Sequence, residues 1–311
     1  MEVLPHMELW LGLRLNGENP DDELHLDPRA KAARIIRDEP PLNAEQWRAI
    51  CAYYLENAPE QVAPVEPATQ LEVGMSQFRA ERPAIGGRPM ATLARFDPEL
   101  GRIYVGGLAT NLQSGYLSVF DLSGARKRSV DLPSPPVDLE IEADGLLVTL
   151  IGDYTPSDRL YGLVIRMPRT NNGGFEGGDV LKSLPRPAMT EVVDLNADGL
   201  DDFLVCGFGN TLGGLLWFEA KPDGGHEKHV LLEHNGVVCA RTIDIDKDGR
   251  LDVVVMTAQQ RETVQALMNR GDGTFEARVL LERHPAWGFT AFELADLNGD
   301  GHPDLVTANG G

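Results

Sequence analysis

The sequence predicts a mainly β protein, a partial β-propeller with about five blade starts, preceded by a small α-helical segment. Three observations lead there. An acidic nine-residue motif recurs about every fifty residues, short β-type runs broken by Gly and Pro fill residues 76–311, and helical periodicity is confined to residues 1–60. With 311 residues, 42% of them hydrophobic and 24% charged, the chain can bury a sizeable core. Its 28 Lys+Arg against 48 Asp+Glu give a formal charge of −20. That balance argues against a nucleic-acid surface or an anionic membrane face, since both reward clustered Lys and Arg. No run approaches the roughly 18 apolar residues of a membrane span, and the N-terminus, MEVLPHMELW, shows no secretory signal.

The helical segment is read first. Asp27 before Pro28 is an N-cap with proline at the first helical position, and Ala32, Ile35 and Ile36 give one apolar stripe. A second helix starts at Asn43, with Gln46 at the reciprocal capping-box position and Leu42 and Trp47 at the sites of a hydrophobic staple. Trp47, Ile50, Cys51, Tyr54 and Leu55 then recur at helical spacing, which predicts one buried face. Pro59, Pro64 and Pro67 mark an extended stretch without periodicity, so residues 61–75 are read as a linker. Beyond it come runs such as Arg102-Ile103-Tyr104-Val105, Tyr116 to Phe120, Gly145 to Leu150 and Asp252 to Val255, which are strands.

The repeated motif is D-x-[DN]-x-D-G-x-x-D. It places Asp194, Asn196, Asp198 and Asp202 in one copy, Asp244, Asp246, Asp248 and Asp252 in the next, and Asp296, Asn298, Asp300 and Asp304 in the third. The copies start 50 and 52 residues apart, about the length of a four-stranded blade. Weaker copies precede them at Glu140-Ile-Glu142-Ala-Asp144-Gly145 and Asp97-Pro-Glu99-Leu-Gly101. Oxygen-bearing side chains alternating along a tight loop can converge on one hard cation, and the glycine permits the sharp turn. Ca²⁺, which accepts six to eight oxygens at about 2.3–2.6 Å, suits such a loop better than Mg²⁺, which demands a rigid octahedron. About three Ca²⁺ sites are expected on these twelve residues. The loops are not EF-hands, because Val205, Val255 and Thr307 stand at the twelfth place and strands follow where a helix is required. An Asp-Gly turn alone needs the glycine but not four oxygen-bearing side chains packed together.

Other chemistry is sparse. No nucleophile elbow, zinc-protease motif or phosphate loop occurs, so no catalytic residue is assigned and no enzyme activity is expected. Cys206 and Cys239 read as isolated strand thiols, with one bridge between them as the alternative, and Cys51 lies on the helix stripe. His226, His229 and His234 read as exposed or strand-edge residues, and Trp217 and Phe218 as divided between core and a neighbouring blade.

The three loops, with Asn269-Arg-Gly271-Asp272-Gly273-Thr-Phe275, resemble the FG-GAP/VCBS repeat family of calcium-loop propellers, similar to integrin α-subunit heads and bacterial surface lectins. The resemblance covers about residues 76–311. It implies a calcium-bound scaffold that binds a protein or glycan outside the cytoplasm, whether periplasmic, secreted or on the cell surface of a bacterium. Leu4-Pro5-His6-Met7, Trp10-Leu11-Gly12 and the segment from Leu42 through Pro59 resemble the tail of a cytochrome-c-like domain. The haem-attachment motif C-x-x-C-H of such domains is absent, so haem c is not expected in this chain. The alternative implied is the partner-binding part of a haem-containing electron-transfer protein whose haem motif is missing here.

Overall fold

A computed structural model describes residues 42–57, 90–109, 113–143, 145–168, 177–259 and 261–310. The chain divides into two compact units, Met1–Arg82 and Pro83–Gly311. The helix expected after Asp27, the linker and the Leu4 to Gly12 segment lie outside the described residues.

In the first unit, helix α1 (Ala44–Asn57) starts where the capping box puts it. The N–H of Gln46 donates to Asn43 Oδ1 and the N–H of Asn43 donates to Gln46 Oε1, both at 2.9 Å, which satisfies two donors that the first turn would otherwise orphan. The apolar stripe is buried only at its start. Trp47 is 3% exposed and Ile50 and Cys51 are half-buried, but Tyr54 and Leu55 are 69% and 76% exposed. The expectation of one buried face along the whole helix is corrected accordingly. Helical spacing aligns side chains on one face, but burial needs a neighbour along its full length. At the last turn Tyr54 meets the Tyr53 ring edge-on, with centroids 5.8 Å apart.

Among the described residues, the second unit holds five antiparallel sheets, each a simple meander in sequence order. The first is β1 (Met90–Asp97), β2 (Arg102–Leu108), β3 (Gly115–Asp121) and β4 (Arg126–Leu132); the second is β5 (Pro136–Ile141), β6 (Gly145–Leu150), β7 (Gly162–Pro168) and β8 (Gly178–Leu184). The third comprises β9 (Pro187–Val193), β10 (Asp202–Gly207), β11 (Gly214–Ala220) and β12 (His226–Leu232), and the fourth β13 (Val237–Ile243), β14 (Asp252–Thr257), β15 (Glu262–Asn269) and β16 (Phe275–Arg283). The fifth has two strands, β17 (Phe289–Ala295) and β18 (Asp304–Asn309). These are propeller-like blades in number and order, and among the described residues they do not close into a ring. All five motif copies, weak and strong, fall at the hairpin between the first and second strands of a blade, so the sequence period is the blade period.

The hydrophobic core lies between blades. One cluster joins Tyr104 and Leu117 of the first to Leu146 and Val148 of the second, another joins Leu147 and Val164 to Phe203 and Val205, a third joins Leu204 and Trp217 to Val253 and Val255, and the last joins Val254 and Met256 to Phe289 and Phe292. A second strand therefore has neighbours on both faces. That is why β6, β10 and β14 read as unbroken apolar runs and are buried at every residue. Trp217 and Phe218 face different neighbours, the fourth and second blades, as adjacent residues of a strand must. Cys206 and Cys239 are free thiols, the first buried and the second half-buried.

First strands lie against one another, β1 on β5, β5 on β9, β9 on β13 and β13 on β17. Polar side chains hook each to the next. Arg95 donates through Nε to Leu139 O at 3.0 Å and through Nη2 to Asp138 Oδ1 at 3.1 Å; the N–H of Thr190 donates to Asp138 Oδ2 at 3.1 Å; Thr242 Oγ1 donates to Glu191 Oε1 at 2.6 Å. Glu140 sits among these carboxylates. Burial, then the charges of Asp138 and Glu191, push its pKa up to about 7 despite Arg95 nearby. A carboxyl whose pKa is higher folded than unfolded stabilises fully below its unfolded value near 4.5, and that contribution fades as pH rises to about 7. Glu140→Gln should therefore be more stable than the parent at pH 8 and lose most of that advantage at pH 5, read as urea midpoints at the two pH values. An equal difference at both would refute the shift.

Candidate metal centre in the blade hairpins

The three strong motif copies fold alike. Their fourth residues, Ala197, Lys247 and Gly299, have φ of 60°, 62° and 78°, and their sixth, Gly199, Gly249 and Gly301, have φ of 86°, 87° and 81°. A left-handed conformation costs a residue with a Cβ roughly 1–2 kcal/mol, so Ala197 and Lys247 are held there by the rest of the loop. The first acid supplies much of that hold. Asp194 accepts the N–H groups of Asp198 and Gly199 at 3.0 and 2.8 Å, Asp244 those of Asp248 and Gly249 at 3.0 and 2.9 Å, and Asp296 those of Asp300 and Gly301 at 3.1 and 2.9 Å. The Gly301 bond leads the causes that hold the exposed Asp296 carboxyl below the usual range.

The ninth acid ties the loop to its blade. In each repeat it pairs with the last residue of the preceding strand, Asp202 with Val193, Asp252 with Ile243 and Asp304 with Ala295. One oxygen accepts the N–H of the loop's second residue: Leu195 to Asp202 at 3.2 Å, Ile245 to Asp252 and Leu297 to Asp304 at 3.0 Å. Asp202 also receives the Trp217 indole N–H at 2.9 Å and the Ala220 N–H at 2.7 Å, and Asp252 receives the Asn269 N–H at 2.7 Å. Both acids are buried, at 0% and 1% exposure. This anchoring role was not read from the sequence, although the invariance of the ninth place across three copies is its trace.

The second loop brings Asp244, Asp246 and Asp252 together, one oxygen of each lying within 4.8 Å of the others. Oxygens that share one Ca²⁺ at about 2.5 Å stand no farther than about 5 Å apart, so these three fit a calcium ion. The fifth acid, Asp248, accepts the N–H of Arg250 at 2.9 Å, and its other oxygen pairs with the Arg250 guanidinium. In the first and third loops the third place is an asparagine whose Oδ1 accepts the fifth residue's N–H, at 3.1 Å in Asn196 and 2.8 Å in Asn298. The amide Nδ2 of each reaches the fifth acid, Asp198 at 3.1 Å and Asp300 at 3.0 Å. In the weaker copies, Asp97 is a buried acceptor for the N–H groups of Glu99 and Leu100, and Glu142 forms a two-pronged pair with Arg166.

A second acid cluster has a different character. Glu219, Glu227 and His229 approach within 4.8 Å, but the Lys221 ammonium stands 2.8 Å from Glu219 and 2.7 Å from Glu227 and already supplies the cation. His226 and His229 lie on the outer strand β12, in accord with the strand-edge reading.

Residues 194–255 and 244–307 match the family model described as FG-GAP-like repeat, and each match spans two successive loops. The chain carries FG-GAP-like repeats. Among solved structures it is similar to the crystal structure of the Saccharomyces cerevisiae Sqt1, with 13% identity and a TM-score of 0.40 over 67% of this chain and 53% of that one. It is also similar to the AfRom2 CNH domain, with 11% identity and a TM-score of 0.43 over 79% of this chain and 71% of that one. The chain thus spans about half the length of the Sqt1 chain. No curated protein matches its sequence.

Around the repeats, buried charges outside the motif escaped the sequence reading, among them Asp158 and Arg186. Asp158 accepts the N–H groups of Thr211 and Leu212 at 2.8 and 2.9 Å, and Arg186 donates to the carbonyls of Asp153, Tyr154 and Gly209 at 3.1, 3.1 and 2.6 Å. Both staple the second blade to the third. Neither lies in a motif, and nothing local to the chain announces them.

Proposed function

We propose that the propeller-like unit is a non-catalytic calcium-binding scaffold that binds a protein or glycan, as part of an exported bacterial protein. The observation that carries it is the convergence of Asp244, Asp246 and Asp252 in a loop whose backbone recurs in two further FG-GAP-like repeats. The first, third, fifth and ninth side chains of each loop are the ligands in this reading, and the bound ion would supply the positive charge that close carboxylates lack. FG-GAP repeats are typical of extracellular proteins, where calcium near millimolar fills even weak loops. No described helix is long and apolar enough to cross a membrane.

The ligand register has its own test. In this reading Asp248, at the fifth place, is a ligand that must exchange its Arg250 partner for the ion, while Asp201, at the eighth, is exposed and off the ligand period. Asp248→Ala should remove one calcium-binding step in calorimetric titration and destabilise the calcium-bound protein. Asp201→Ala should keep every step and change stability by no more than about 0.5 kcal/mol. The reverse pattern would overturn the register.

A further inference from the structure

The third and fourth places of the repeated loops carry three different dipeptides. The first loop has Asn196-Ala197, the second Asp246-Lys247 and the third Asn298-Gly299. Asn298 is exposed, and a Cβ added at Gly299 would meet no atom within 4 Å. Both halves of this dipeptide are held by acids of their own loop. The Gly299 N–H donates to Asp296 Oδ1 at 2.7 Å. The Asn298 amide accepts the Asp300 N–H at 2.8 Å through Oδ1 and donates to Asp300 Oδ2 at 3.0 Å through Nδ2.

We infer that Asn298 is a self-modifying site, converted to aspartate or isoaspartate when the third loop opens. This goes beyond the calcium reading and stands on the loop's own bonds. The Gly299 nitrogen attacks Asn298 Cγ, the Cγ–Nδ2 bond breaks, and ammonia leaves carrying the Gly299 amide proton. Water then opens the resulting cyclic imide at one of its two carbonyls. Attack at Cγ gives aspartate on an unchanged backbone, while attack at the main-chain carbonyl gives isoaspartate, whose backbone runs through the side chain. Glycine leaves the attacking nitrogen uncrowded, as a residue with a Cβ does not. In the first loop Ala197 carries that Cβ. Asn235-Gly236 has the glycine but is clamped between blades, Asn235 Nδ2 on Asn210 O at 2.7 Å and Gln259 Oε1 at 3.0 Å, and the Gly236 N–H on Phe208 O at 2.7 Å. The closed third loop restrains the reaction, because nitrogen and amide are bonded to different acids and both carboxylates oppose the negative charge of ring closure. The two products differ in consequence. Aspartate gives the third loop the four acids of the second, where Asp246 already stands at this place. Isoaspartate lengthens the main chain and displaces the Asp300 and Gly301 N–H groups from Asp296.

The loops supply a matched control. Gly299→Ala makes the local sequence Leu-Asn-Ala-Asp-Gly, identical to Leu195 through Gly199, and Ala197 at φ 60° shows that this backbone accepts alanine. The experiment is time-resolved peptide mapping of the full chain in mildly alkaline buffer, with chelator throughout so that no outcome depends on bound calcium. Fragmentation spectra locate each converted asparagine, and an isoaspartate-specific methyltransferase separates the two products. Asn298 should convert in the folded parent, and at least about tenfold faster in urea, since three hydrogen bonds need not open first. Asp296→Ala, which frees the Gly299 N–H in the folded protein, should accelerate conversion about fivefold, the worth of one such bond. Asp300→Ala frees the side-chain amide instead, should also accelerate conversion, and serves if Asp296→Ala misfolds. In urea, Gly299→Ala should slow Asn298 to the rate of Asn196 in the same sample. Asn298 left intact in folded Asp296→Ala and Asp300→Ala once the urea sample has converted overturns the site. Conversion no faster in either variant than in the parent, or as fast folded as in urea, overturns the restraint by the loop. Conversion in urea undiminished by Gly299→Ala overturns the ring closure itself.

Discussion

Asp202→Ala should be the most damaging single substitution in the repeated loops, even when no calcium is present. Its carboxylate takes the N–H groups of Leu195 and Ala220 and the indole N–H of Trp217, and alanine would leave all three donors without that acceptor in a site with no solvent exposure. Each buried unsatisfied group costs about 1–3 kcal/mol, so at least about 3 kcal/mol is expected for the three, against about 5–15 kcal/mol for a whole domain. The analogous Asp252→Ala strands two donors, Ile245 and Asn269, and Asp304→Ala strands one, Leu297. Denaturant unfolding in chelator should thus rank the losses Asp202, Asp252, Asp304, and chelator removes any metal contribution to the order. A loss at Asp202 below about 1 kcal/mol, or no greater than at Asp304, would show that the anchor is unimportant.

Removing calcium from the parent protein should lower its melting temperature substantially and reversibly. An ion that binds only the folded state stabilises by RT ln(1 + [L]/Kd), about 2.7 kcal/mol per site at a hundredfold excess over Kd. For a unit the size of Pro83–Gly311 each kcal/mol shifts the midpoint by about 2–4 °C, so even one site moves it by roughly 5–10 °C. Added calcium should restore the loss and magnesium should do so poorly, since the loops offer many flexible oxygens rather than a rigid octahedron. A melting curve identical in chelator and in millimolar calcium would sink the calcium assignment and leave Asp194, Asp244 and Asp296 as turn-forming residues only.

Both predictions concern residues visible in the sequence, but they were legible to different degrees. The repeat, its period, the blade hairpins that hold it and the capping box of α1 could all be read, because each is a local pattern repeated or matched to one backbone geometry. The convergence of Asp244, Asp246 and Asp252 follows from the same spacing. The donors around Asp202 could not be read, since Trp217 and Ala220 reach it only through strand pairing fifteen or more residues away. Arg186 and Asp158 were invisible for the same reason. The stripe on α1 shows the opposite failure. Its period was plain, yet Tyr54 and Leu55 stand exposed because periodicity specifies a face and not what covers it.

The placement of the apolar clusters between sheets rather than within them has a mechanical corollary. Each blade borrows half of its interior from the next, so the array behaves as a chain of nearest-neighbour couplings in which no sheet is an independent folding unit. Injury to Leu204 or Val255 is shared by the third and fourth blades and reaches no farther except by separating them. The two strands Phe289–Ala295 and Asp304–Asn309 share their apolar contacts with the fourth blade through Val254, Met256 and Val264, so loosening that blade loosens them as well.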